Sequence, residues 1–355
     1  MTAVDIRRGD GHGGPARGPA RTERVAASLN RALHAVLAAD ATVQVLGQDI
    51  LDPYGGAFRV TKGLSTRFPD RVVGTPISEG ATLGVAAGLA LCGHRPIVEV
   101  MFGDFLALGF DQLLNFLTKS VSMYGRRVPM PVVVRCPVGG NRGYGPTHSQ
   151  SPQKHFIGIP HLALFELSPF HDAQELLTRL VARAEPCLLF EDKTLYGERT
   201  YADGVVDDLF SYDMVAGTSH ARVFIEAPDV FDVVLIAPGG LTQRVLAAAR
   251  DLFLEAELRC QVIVPVELHP FDLDPLIPTL VRAELVGVVE EGTAGGTWGS
   301  GLARLMYERL WRRLRRPILL VNSVDSVIPT AAHLEREVLV QATTIFDGVR
   351  KAAGV

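Results

Sequence analysis

The sequence predicts an α/β protein of two domains, each a mostly parallel sheet flanked by helices. Three observations carry this. Short apolar runs alternate with amphipathic, helix-periodic stretches from residue 24 to residue 191. The alternation breaks over 194–227, where Tyr, Asp, Gly and Ser dominate, and it resumes at Phe231. The chain has 355 residues, 47% of them hydrophobic, which is enough for two full cores. The reading therefore places a tail at 1–22, a first domain at 23–193, a linker at 194–227 and a second domain at 228–355.

Residues 1–22 are poor in apolar side chains and rich in Gly, Arg, Pro and Ala, a composition that reads as disordered. An amphipathic helix follows at 24–37 and a strand at 42–46, then Gly47-Gln48-Asp49 and a Gly-rich loop around Gly55-Gly56. A strand signal ends at Val72-Val73. Pro76 keeps the approach extended, Ser78 offers an N-cap, and 80–92 is a helix of small residues. A strand at 95–101 leads to a helix at 108–124, with Phe110, Leu113, Leu114 and Leu117 on its buried stripe. A strand at 131–136 opens into a polar loop, 139–150, that holds four glycines. Strand 162–167, helix 172–184 and strand 187–191 complete the first domain. In the second, strands are expected at 232–237, 260–266, 285–290 and 318–321, and helices at 242–254, 299–314 and 334–351.

The formal net charge of −4 argues against a nucleic-acid binder working by bulk electrostatics. The four cysteines, Cys92, Cys136, Cys187 and Cys260, lie far apart with no metal-ligand spacing, as expected of reduced thiols in a cytoplasmic protein. No apolar run reaches the roughly 18 residues of a membrane span, and there is no secretory segment. Gly9-Asp10-Gly11 looks like a metal-diphosphate motif but lacks the strand and downstream Asn such a motif needs, so the match is accidental. The run from Gly295 to Gly301 contains no Lys or Arg and reads as a tight turn with close helix packing rather than a phosphate cradle. Arg309, Arg312, Arg313, Arg315 and Arg316 read as a solvated face at a helix C-terminus.

Three places carry chemistry. Glu79 falls in the first turn of the 80–92 helix, where dipole and free N–H groups favour a carboxylate for structural reasons as well as functional ones. His148 sits in the Gly-rich loop beyond a buried strand, where ligands of open α/β sheets bind. Met101-Phe102-Gly103-Asp104-Phe105 also lies just past a strand's carboxyl end; its plainer reading is core Met and Phe, with Asp104 and Asp111 as capping or surface acids.

Together these stretches resemble the β subunit of the thiamine-diphosphate-dependent 2-oxoacid dehydrogenase decarboxylase component, of the pyruvate and branched-chain types. More broadly they resemble the pyrimidine-binding and C-terminal domains of transketolase-like enzymes. The resemblance runs from Arg24 to about Ala352. It is carried by the run from Gly55 to Leu64, Thr75-Pro76-Ile77-Ser78-Glu79, Arg95-Pro96-Ile97-Val98-Glu99, Phe110-Asp111-Gln112, Thr147-His148-Ser149-Gln150-Ser151-Pro152 and Glu290-Glu291-Gly292.

The resemblance implies roles. Glu79 matches the carboxyl group that promotes the imino tautomer of the cofactor's aminopyrimidine. Phe105 matches the aromatic packed on that ring, and Met101 lines the same pocket. His148 matches a histidine at the site mouth that handles protons or positions the acyl group. Thiamine diphosphate is the implied cofactor, with Mg²⁺ and the diphosphate held mainly by a separate α subunit. An α₂β₂ heterotetramer is implied, acting on a 2-oxoacid and passing the acyl group to a lipoyl-bearing acyltransferase. A split transketolase-like carboligase or acyl-transfer enzyme of a specialised pathway, or a non-catalytic β-like scaffold, are the alternatives. Retention of Glu79, Phe105 and His148 together argues against the scaffold.

Two departures stand out. The family commonly has a Pro-x-Pro-Tyr-like run before Leu-Glu near the C-terminus; this chain reads from Val327 to Glu335 without a Tyr. The family's β subunits also commonly hold a structural K⁺ with help from an Asp three residues before the Pro that matches Pro186. Arg183 stands there, and a guanidinium offers a hard cation no oxygen. Arg183 is expected either among the same carbonyl oxygens or pointing to solvent. In both cases melting temperature should be the same in K⁺, Na⁺ and choline buffers of matched ionic strength. A K⁺-specific rise would overturn this.

Overall fold

The computed structural model describes residues 23–355. The tail at 1–22 and its Gly9-Asp10-Gly11 lie outside the described residues. The first half of the chain runs through α1 (Val25–Ala39), β1 (Val43–Gly47), α2 (Leu64–Arg67), β2 (Val72–Gly74), α3 (Glu79–Leu91), β3 (Arg95–Glu99), α4 (Thr118–Ser120), β4 (Val133–Val138), β5 (Ala163–Glu166), α5 (Ala173–Ala182) and β6 (Cys187–Asp192). The second runs through β7 (Phe210–Met214), β8 (His220–Ile225), β9 (Val233–Ile236), α6 (Thr242–Ala256), β10 (Cys260–Pro265), β11 (Glu267–His269), α7 (Ile277–Leu280), β12 (Leu285–Thr293), α8 (Trp298–Leu310), β13 (Leu319–Ser323), α9 (Ala332–Val338) and α10 (Ala342–Ala353).

Two mostly parallel sheets result, ordered β11-β5-β6-β4-β3-β1-β2 and β13-β12-β9-β10-β8-β7. The central strands β4, β6 and β10 are buried along their whole length, as near-continuous apolar runs require when helices cover both faces. Among the described residues no helix is long and apolar enough to cross a membrane.

The structure corrects four expectations. Residues 194–227, expected as a linker, carry β7 and β8, which pair antiparallel with each other at the edge of the second sheet. Only Phe210 of the edge strand β7 is fully buried, so β7 is too polar to show as an apolar run; β8 inside it is mostly buried but is interrupted by Arg222, which pairs across to Asp213 at 2.6 Å. The helix expected at 108–124 is instead a 3₁₀ turn at Gly103–Gly109, a π turn at Gln112–Leu117 and the short α4. Thr118 Oγ1 donates back to the carbonyls of Leu113 and Leu114 at 3.0 and 3.1 Å, which widens the ladder there. Leu113 and Leu117 are buried as expected, whereas Phe110 and Leu114 are only partly so. The single terminal helix is two, because Leu339 and Val340 turn into the core and Gln341 starts α10 with a capping box to Thr344. Arg183 takes neither expected position. It ends α5 over the Phe165 ring at 5.4 Å and lies 4.0 Å from Glu267, while Arg95 donates to the Val181 carbonyl at 2.7 Å.

The glycine-rich run at α8 behaves as a packed turn. Its helix N-terminus is filled internally: Glu290 Oε1 accepts from the Gly299 N–H at 3.0 Å, and a Cβ on Gly299 would sit 2.6 Å from that oxygen. In the basic cluster, Arg309 pairs with Asp274 at 2.6 Å and Arg315 pairs with Glu284, all substantially exposed.

A wholly buried ion cluster ties the first sheet together. Arg135 on β4 forks onto Glu191 on β6 at 2.8 and 2.7 Å, and also bonds Glu99 on β3. Tyr196 donates to Glu191 at 2.6 Å. Burial pulls the Arg135 guanidinium down, but Glu191 and Glu99 more than offset this and hold it above its ordinary value.

The two halves join through β11, which leaves the second half to pair antiparallel with β5, and through buried carboxylates. Glu166 accepts from the Gly240 N–H at 3.0 Å and from Gln153 at 2.9 Å. Burial pushes its carboxyl up to about 8, against the pull of the Gly240 N–H. Burial, then the Glu291 charge, lifts Asp192 to about 6, with Arg244 opposing. A carboxyl with a raised folded pKa keeps a proton that the unfolded chain releases. Its stabilising effect is therefore complete below the unfolded value of 4.5 and is lost as pH rises through about 8. His171, held down to about 4 by burial, acts in the opposite sense but only below 6.5. Between pH 6.5 and 8, urea stability should therefore fall, by roughly 1 kcal/mol per pH unit. Glu166→Gln should flatten that slope, and an unchanged slope would refute the assignment.

Candidate active site

Strand order reverses between β1 and β3: the chain leaves β1 for β2 on one side and later places β3 on the other. In an open parallel sheet the crevice beyond the carboxyl ends at such a point is where ligands bind. Three segments meet it. Gln48 follows β1, Glu79 opens α3, and Met101 to Phe105 follow β3.

Glu79 is buried at 4% exposure. Ser78 occupies the N-cap position, but its side chain makes no cap. Gln48 Nε2 donates to Glu79 Oε1 at 3.0 Å. No cation pairs with Glu79 among the described residues, and Oε2 accepts no hydrogen bond there. A buried carboxylate supported only by a neutral amide and a helix N-terminus keeps acceptor capacity for a further donor. On the segments before and after α3, Thr75 Oγ1 and Asp104 Oδ2 are buried without a partner among the described residues.

The 3₁₀ turn carrying Phe105 lies against the first turn of α3. A Cβ on Gly109 would come within 2.3 Å of the Leu83 side chain and 3.8 Å of the Glu79 backbone, so the approach is close. Phe105 and Phe102 then face the loop 139–150. The His148 ring stands edge-on to Phe102 at 4.7 Å and to Phe105 at 5.0 Å between centroids. Thr147 Oγ1 is 2.9 Å from His148 Nδ1. Tyr144 packs on Phe102 from the same loop, and Phe58 from the Gly-rich loop after β1. Met101, half-buried, starts the Phe102–Phe105 segment.

The second half of the chain holds the loop in place. Glu291 Oε1 accepts from the Gly140 N–H at 2.9 Å, and Glu335 Oε2 from the Gly143 N–H at 3.1 Å. Gln341 donates to Asn141 at 3.2 Å. Glu291 is itself bonded by Arg244.

The structure thus brings His148 and Phe105 into contact and sets Glu79 on the element against which Phe105's turn packs. Sequence reasoning did not single out Gln48, Phe102 or Lys193. All three lie just past a strand's carboxyl end, which is a readable signal of position; the contact of Lys193 with a residue 45 positions away had none.

Two family models match the chain: the transketolase pyrimidine-binding domain over residues 22–199 and the transketolase C-terminal domain over residues 226–345. The pyruvate dehydrogenase E1 component subunit beta of Leifsonia xyli is 31% identical, covering 92% of this chain and 93% of that one. The 3-methyl-2-oxobutanoate dehydrogenase subunit beta of Mycobacterium tuberculosis is 32% identical, with 91% and 90% covered. The acetoin:2,6-dichlorophenolindophenol oxidoreductase subunit beta of Cupriavidus necator is 30% identical, with 94% and 98% covered. A solved split-gene transketolase, described as an inactive beta4 tetramer, shares the fold with a TM-score of 0.69 at 20% identity, covering 92% of this chain and 97% of that one. The chain belongs to the transketolase-like family of 2-oxoacid dehydrogenase E1 β subunits.

Proposed function

We propose that this chain is the β subunit of a heteromeric thiamine-diphosphate enzyme that decarboxylates a 2-oxoacid and passes the acyl group to a lipoyl domain. The observation that supports this most is Glu79: a buried carboxylate at a strand-order reversal, hydrogen-bonded by Gln48, with one oxygen free of protein donors. That donor set fits an aminopyrimidine, whose ring N–H would take the spare oxygen and whose face would lie against an aromatic ring. Bound thiamine diphosphate supplies the nucleophilic carbon for decarboxylation.

The chain's own residues do the rest. Glu79 holds a proton at the pyrimidine nitrogen, and Gln48 orients Glu79. Phe105 would pack on the pyrimidine when it is bound, and Met101 would line the same pocket. His148, edge-on to two phenyl rings and touched at Nδ1 by Thr147, moves or holds a proton at the acyl group during transfer. Among the described residues no group of three or more His, Cys, Asp or Glu is arranged to hold a metal ion. In this reading Mg²⁺ and the diphosphate are held mainly by the α subunit, so activity requires α₂β₂ assembly.

Calorimetry on the isolated chain, with and without Mg²⁺, should therefore give weak thiamine-diphosphate binding or none; micromolar affinity without a partner would sink the split-site reading. In the reconstituted α₂β₂ enzyme, Glu79→Gln should abolish most H/D exchange at the thiazolium carbon. His148→Ala should slow acyl transfer to a lipoyl domain by roughly a hundredfold while sparing decarboxylation. Near wild-type exchange in Glu79→Gln would disprove the central assignment.

A further inference from the structure

Lys193 is the first residue beyond β6 and is fully buried, which is rare for a lysine. Its backbone is fixed on both sides: the Lys193 N–H donates to the Val138 carbonyl at 3.0 Å, and Arg142 donates to the Lys193 carbonyl at 3.2 Å. The side chain makes one hydrogen bond to protein, from Nζ to the carbonyl oxygen of His148 at 2.9 Å. Nζ also lies 5.6 Å from the centre of the Phe102 ring, within cation–π range. Lys193 therefore touches both segments that supply the aromatic and imidazole groups of the site.

We propose that Lys193 is a positioning residue, whose ammonium clamps the His148 backbone and the Phe102 ring together and so fixes the imidazole between Phe102 and Phe105. This rests on the reading that His148 works in the reaction. The simpler alternative is that the ammonium only balances nearby carboxylates. Burial draws the ammonium below its ordinary value, and Asp192, Asp104 and Glu291 oppose that. Charge balance alone would not require the bond to His148. Nothing else among the described residues donates to that carbonyl. The loop's other tethers lie before Tyr144, on Gly140, Asn141 and Gly143, or after His148, where Gln150 N–H reaches Asp104 at a long 3.4 Å. The ring-bearing turn between them hangs on Lys193.

The test reads the imidazole directly. The full-length chain, labelled at histidine Cε1, contains ten histidines, and His148 is the signal lost in His148→Gln. In the unsubstituted chain that signal should be displaced by the two neighbouring rings. In Lys193→Met, which keeps the stem and removes the charge, it should move toward the position of a solvated histidine and broaden, while the other nine stay in place. Lys193→Gln, which keeps a shorter donor, should move it part of the way. In the reconstituted α₂β₂ enzyme, Lys193→Met should slow acyl transfer by roughly tenfold to a hundredfold, spare decarboxylation, and add little to His148→Ala.

A His148 signal unmoved in a folded Lys193 variant would overturn the proposal, as would failure of both variants to fold, since the residue would then serve the fold itself. If instead the signal moves but neither Lys193→Met nor His148→Ala changes acyl transfer, the clamp stands and the catalytic role of His148 falls.

Discussion

The aromatic and histidine side of the site hangs from three strand ends that one buried cation holds together. Arg135 on β4 is 1% exposed and bonds Glu191 on β6 and Glu99 on β3. A single buried charge is prohibitively costly, and a pair breaks even only with good geometry and satisfied lone pairs. Here the fork onto Glu191 is bidentate, and Tyr196 fills a remaining lone pair. Burial lifts Glu99 above its ordinary value while Arg135 holds it down. The register is thereby specified: a one-residue slip of β3 or β6 would strand a charge in the core. The segment 101–105 leaves β3, the loop 139–150 leaves β4, and Lys193 follows β6, so the cluster sets the launch points of all three.

The second domain finishes what the first begins. A loop with four glycines has little reason of its own to adopt one shape, because each glycine gives up more freedom than any other residue on being fixed. Glu291 and Glu335 supply that reason by accepting from the Gly140 and Gly143 N–H groups, with Arg244 bracing Glu291. Since β11 also crosses to pair with β5, and Glu166 grips the Gly240 N–H, the domains cannot turn relative to each other without breaking buried hydrogen bonds. The histidine loop is in effect an interdomain element, though its sequence lies wholly in the first half.

Periodicity is a property of burial, and this decides what was legible. Strands buried on both faces, such as β4 and β6, announce themselves as apolar runs, and their placement gave the fold class. The edge strand β7 is half solvated, so Phe210-Ser211-Tyr212-Asp213 looked like linker. The π turn at Gln112–Leu117 was unreadable because it leaves Leu113 and Leu117 buried at their helical spacing; the Thr118 hydroxyl bonded to the Leu113 carbonyl accompanies it. Arg183 was misplaced for a similar reason: its neighbour Glu267 lies 84 residues on, on a strand from the other half of the chain. Within the site, Glu79, Phe105 and His148 could be matched to a pattern. Gln48, Phe102 and Lys193 act only through contacts that folding creates.

The buried carboxylates of the first sheet divide by how their charge is met, and the division separates support from chemistry. Glu99 and Glu191 share a guanidinium, and Glu191 has both oxygens engaged by donors. Glu166 spends both oxygens on Gly240 and Gln153 and is pushed toward its protonated form. Glu79 alone among them has no cation and a single donor, the neutral Gln48 amide. A fold that needed Glu79 only as a helix N-terminal charge could leave it at the surface, where the dipole is served equally well. Glu79 Oε2 accepts no hydrogen bond from the described residues, so it keeps capacity for a donor from outside the chain. Phe102 and Phe105 stand on the turn that packs against the start of α3, so an aromatic wall borders the helix that carries Glu79.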